Sequence, residues 1–76
     1  MKVSLRIDAA GSVTVRVYNA AQAWVRTLWE GEMAAGWTTL DWDGRNAHGE
    51  TVGSGTYYVV VRAPGVKSVK RVVLIR

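Results

Sequence analysis

Asp41 and Asp43 flank Trp42 in the one stretch of the chain where acidic, amide and imidazole side chains gather. Set on a strand, two such carboxylates share a face about 7 Å apart. Carboxylic acids at separations of this kind serve inverting glycosidases, one protonating the leaving group while the other activates water. The competing reading is structural: two solvated acids opposite a buried indole, with Asp43 bonding the loop backbone as an Asx turn. So short a chain has no segments to build a cleft around them, and no catalytic residue is assigned. Asp41, Asp43 and Asn46 offer oxygens to calcium, yet their spacing lacks the regular alternation of calcium loops. His48, the only histidine, lies between alanine and glycine with no cysteine or second histidine to complete a zinc site, and reads as an exposed loop residue. Gly53-Ser54-Gly55 lacks the third glycine and the following helix of a dinucleotide fingerprint and reads as a turn. No metal or cofactor is expected, and no enzymatic activity.

The elements that would position these residues follow from alternation and punctuation. Val3, Leu5 and Ile7 alternate with Ser4, Arg6 and Asp8 in a first half-buried strand, which residues 9–12 interrupt. Val13, Val15 and Val17 alternate with Thr14, Arg16 and Tyr18 in the clearest strand of the chain. Residues 19–22 form a turn in which Asn19 can bond its own backbone. Residues 23–30 read as a third strand, although Val25 and Leu28 are three apart; a bulge or a short helical turn would bring both inward. Residues 31–36 read as a loop and 37–42 as a fourth strand, with Leu40 and Trp42 on one face. Four glycines between Gly44 and Gly55 mark a loop that doubles back. Residues 56–62 then form a strand with Tyr57, Val59 and Val61 inward, Pro64-Gly65 occupies the centre of a type II turn, and residues 66–75 close the fold. No window keeps a helical period, and turn signals recur about every ten residues. The expectation is an all-β, immunoglobulin-like antiparallel β-sandwich of six to seven strands, forming a single domain over residues 1–76.

Composition is consistent with that reading. A 76-residue chain buries only about 60% of its unfolded surface, so this one must pack well. A hydrophobic content of 49% against 21% charged excludes a disordered tail. Absence of cysteine excludes disulfides and thiolate metal sites and leaves the redox compartment open. The first residues have no long apolar core, so neither a signal peptide nor membrane insertion is expected here; export would need a signal outside this chain. The net charge of +4 comes from arginines and lysines that alternate with apolar residues and so fall mainly on solvated strand faces. Nucleic-acid binding would want basic residues interleaved with exposed aromatics on one face, and no nucleic-acid partner is expected.

The order of these features resembles a known family. Val13-Thr14-Val15-Arg16-Val17-Tyr18-Asn19, Val25-Arg26-Thr27-Leu28, Gly36, Leu40-Asp41-Trp42-Asp43-Gly44, Gly49 and Gly55-Thr56-Tyr57 resemble the immunoglobulin-like domain of flagellar hook-capping proteins. The same pattern is similar to that of C-terminal domains on bacterial secreted proteins, including type IX secretion sorting domains. The most specific part is Trp-Asp-Gly, then Gly, then Gly-x-Tyr. Two positions depart from it: Gln22 stands where the family often has glycine, and Thr56 where an aliphatic often precedes the tyrosine. The resemblance implies a non-catalytic module of a larger polypeptide, at the extracellular side or cell surface. Its partners would be the parent polypeptide, neighbouring subunits or the secretion machinery. The ending after Val72-Val73-Leu74-Ile75 suggests a C-terminal appendage.

Two surfaces then compete for a role. Trp24, Trp29 and Trp37 cannot all fit a core this small. They either cover loops and edges or form platforms that stack on sugar rings, the latter making a carbohydrate-binding module. The Pro64-Gly65 turn also fixes a register that pairs Tyr57 with Val72. It leaves Tyr58, Val60, Val69, Val73 and Ile75 outward, with Arg62, Lys67 and Arg71 around them. Such a patch fits a protein-docking surface or strand-addition edge guarded by basic residues, or strand propensity alone. A passive spacer is the remaining alternative.

Overall fold

The computed structural model describes residues 1–75. Alternation carries directly into strands: β1 (Lys2–Ile7), β2 (Gly11–Asn19), β3 (Trp24–Met33), β4 (Gly36–Asp41), β5 (Gly55–Ala63) and β6 (Val66–Leu74). All pairings are antiparallel. β1 and β4 make one layer, and the order β3-β2-β5-β6 makes the other. Val3, Leu5 and Ile7 of the first layer meet Val13, Val15, Val17, Tyr57, Val59 and Val61 of the second, and all nine are buried. Trp42, directly after β4, closes this core at 1% exposure. Among the described residues no helix is long and apolar enough to cross a membrane.

β3 resolves the three-residue spacing of Val25 and Leu28 by bulging twice. The β2–β3 register slips between Val15 and Arg16, skipping Leu28, and again between Val17 and Tyr18, skipping Val25. Each extra residue resets the alternation, so Val25 is buried and Leu28 packs against the core although they are out of strand phase.

The structure corrects the expected boundary after Glu30. β3 runs on to Met33, because its last residues pair with the start of β2 through Thr14↔Glu30, Val13↔Gly31, Ser12↔Glu32 and Gly11↔Met33. The glycine expected to open a loop is therefore inside a ladder, at φ 142°, and Met33 joins the core.

Two turns are set by side chains. Asn19 Oδ1 accepts from the backbone N–H of Ala21 and Ala23 at 3.0 and 2.9 Å. Gln22 takes φ 65°, the one non-glycine among the described residues with positive φ. The turn thus keeps the left-handed conformation that glycine adopts without strain, despite the glutamine. At the β5–β6 turn Gly65 has φ 71° after Pro64, as a type II turn requires of its third residue.

Candidate functional site

The loop from Asp43 to Ser54 holds the residues with chemical potential, and its hydrogen bonds account for them. Asp43 Oδ1 accepts from the Arg45 backbone N–H at 3.1 Å, the expected Asx turn. The same carboxylate lies 3.7 Å from Arg26 and 3.9 Å from Arg45. Asp41 faces Lys2 at 3.6 Å. Asn46 Oδ1 accepts from the backbone N–H of His48 and Glu50 at 2.9 and 3.0 Å, which commits its carbonyl oxygen to the loop. The His48 side chain is exposed. Among the described residues no group of three or more histidine, cysteine or acidic side chains is placed to hold a metal ion.

This loop is fastened at both ends and at its middle. Trp42 Nε1 donates to Arg45 O at 3.0 Å, and Tyr57 Oη donates to Gly53 O at 2.6 Å. The two rings meet edge to face, centroids 5.2 Å apart and planes at 66°, a favoured arrangement of aromatic quadrupoles. A tyrosine near a strand start that bonds backbone four residues upstream is the tyrosine corner of immunoglobulin-like sandwiches. Ala47 N–H donates to Val25 O at 3.0 Å. That carbonyl belongs to a bulge residue, so the irregularity in β3 is also what docks the loop.

The surfaces carry the remaining candidates. The β5–β6 register pairs Tyr57 with Val72, Val60 with Val69 and Thr56 with Val73. Because Tyr57 faces the core, Tyr58, Val60, Val69 and Val73 point to the outer side of the four-stranded sheet. Val69 and Val73 are more than half exposed, and Ile75 beyond the strand is 84% exposed. Tyr58 and Val60 are half-buried and line a shallow groove with Tyr18, Arg62, Lys67 and Val69.

Register adds residues that reading along the chain had missed. Tyr18 stands opposite Trp24 on one side and Tyr58 on the other, and Tyr58 stands opposite Arg71. Three aromatics and an arginine therefore lie in one row across the outer face. The signal was present in Tyr18 alternating with Val17, but joining it to Trp24 required the second bulge.

The three tryptophans do not form one platform. Trp24, 52% exposed, lies on this outer face. Trp37 pairs with Arg6 on the outside of the β1–β4 layer, on the far side of the sandwich. Trp29 stands opposite the core-facing Val15, at the β3 edge, with its Nε1 donating to Gly31 O at 3.2 Å. The three rings thus stand on different parts of the sandwich.

A cleft of about 300 Å³ lies between β1 and the β5–β6 hairpin. Leu5, Ile7, Val61 and Ala63 line it, and Lys70 Nζ reaches across to donate to Ser4 O at 2.9 Å.

Comparison with known proteins places this geometry. The family model of the FlgD Ig-like domain matches residues 1–65. A crystal structure of FlgD from P. aeruginosa aligns with 96% of this chain at a TM-score of 0.70 and 27% identity. The alignment spans 58% of that protein, so the chain corresponds to little more than half of its relative. No curated protein sequence matches.

Proposed function

The chain belongs to the FlgD Ig-like domain family, and on that premise we propose that it is a non-catalytic assembly module of a secreted or cell-surface bacterial protein. It acts through contacts with its parent polypeptide or with neighbouring subunits. The observation that supports this reading is the outer face of the β5–β6 hairpin, where register sets Tyr58, Val60, Val69 and Val73 on one side and exposed Ile75 follows just beyond the strand. Side chains on that face contribute nothing to the buried core, and exposed patches of this kind mark interaction sites. The loop's polar side chains support the same reading, since the Asp43 carboxylate and the Asn46 amide are occupied in holding the loop's shape. Recognition of the same face by export machinery is the variant of this reading that suits a sorting role.

The test is double substitution of Val73→Ser and Ile75→Ser in the parent polypeptide, expressed in its source cells. Incorporation into the assembled, sedimenting fraction should fall several-fold while the isolated module keeps its melting temperature within about 2 °C. Unchanged incorporation with an intact fold overturns the proposal. Loss of the fold would mean that these side chains face the core.

A further inference from the structure

We infer that the docking face takes an acidic extended segment, which adds as a strand to the free edge of β6. The inference rests on the outer-face reading above and specifies the partner's chemistry. Charge is segregated along the chain. All six carboxylates lie within residues 1–54, together with Lys2, Arg6, Arg16, Arg26 and Arg45; β5 and β6 carry Arg62, Lys67, Lys70 and Arg71 and no acid. The segregation persists in space. Each of the five cations up to Arg45 lies 3.6–3.9 Å from a carboxylate. Among the described residues, no ion pair involves Arg62, Lys67, Lys70 or Arg71. The positive field of the domain is thus concentrated on one hairpin.

That hairpin ends in an open edge. Among the described residues the backbone of β6 pairs with β5 alone, so every second backbone N–H and C=O along its other side is open to a partner strand. Its outer face reads Lys67, Val69, Arg71, Val73, cation and aliphatic by turns. A complementary strand places a carboxylate opposite each cation and an apolar side chain opposite each valine, the pairings that stabilise neighbouring strands. A second copy of the same strand does not fit. β6 has no carboxylate, so any register of a β6–β6 pair sets cations near cations without compensation. Main-chain bonding then supplies affinity and the alternating side chains supply selectivity, as in other strand additions.

The test uses the chain itself, isotope-labelled, titrated with a capped synthetic peptide of three Val-Thr-Glu-Thr repeats. The control peptide has lysine for glutamate. Saturable amide shifts should map to β6 and the outer face of β5. The glutamate peptide should bind at least tenfold tighter than the lysine peptide at low salt, and a Lys67→Glu/Arg71→Glu variant should invert that order. Equal affinity for both peptides, binding of neither, or shifts confined to β1 and β4 overturns the inference. If V73S/I75S blocks incorporation of the parent while the peptides bind alike, the docking face stands and the acidic partner falls. If the peptides discriminate but incorporation is unaffected, the acidic site stands and the assembly role falls.

Discussion

Replacing Tyr57 with phenylalanine removes one oxygen from one end of the glycine-rich loop. The ring keeps its edge-to-face contact with Trp42 at 5.2 Å, so only the 2.6 Å bond to Gly53 O is lost. Gly53 is exposed, and its carbonyl regains water in the variant. The cost is then the net value of a hydrogen bond, about 1 kcal/mol, and not the larger penalty of a buried orphan. For a domain of this size about 1 kcal/mol lowers the melting temperature by about 4–8 °C. Truncation to alanine also deletes the ring and leaves a cavity, at about 3–5 kcal/mol. A chain of 76 residues holds about 4–11 kcal/mol in total, so the alanine variant sits at the edge of unfolding. Thermal and urea melts of the two variants, with amide exchange of residues 44–53, make the measurement. A phenylalanine variant that melts within about 1 °C of the parent, with loop exchange unchanged, would refute the claim that the phenol fastens the loop.

The other expectations are briefer. Gln22→Gly should stabilise by up to about 1 kcal/mol in a urea melt, since it relieves a side chain held at φ 65°. Asn19→Ala should cost about 1–2 kcal/mol, because two backbone donors lose the oxygen they share. Gly11→Ala would bring a methyl group 2.6 Å from Pro64 Cγ and should cost about 1–3 kcal/mol. Adding Pro64→Ala should return part of that loss, a non-additivity that a double-mutant cycle reads directly.

Where burial alone decides, the chain is legible residue by residue. β1, β2 and β5 each present one apolar face with period two, and each inward position assigned from that period is buried. The hairpin register was legible because a two-residue turn leaves no freedom: Tyr57 meets Val72 as the count requires. Met33 was not, because a glycine two residues earlier resembles a loop start unless its partner strand is known. The row of Trp24, Tyr18, Tyr58 and Arg71 was hidden for a related reason. It is a property of three registers, one shifted by bulges, and no window along the chain contains it. Asp41 and Asp43 illustrate the opposite limit, since spacing suggested chemistry while geometry pairs Asp41 with Lys2 and gives Asp43 to the loop backbone and two arginines.

His48 stands at the tip of that loop, its side chain exposed, while Asn46 and Val25 hold the backbone beneath it. The chain has no cysteine. A single thiol introduced at His48 would therefore be the sole point of attachment for a fluorophore or spin label. It would sit on a stem braced against the β3 bulge, ready to report distances from that end of the sandwich to whatever the domain engages.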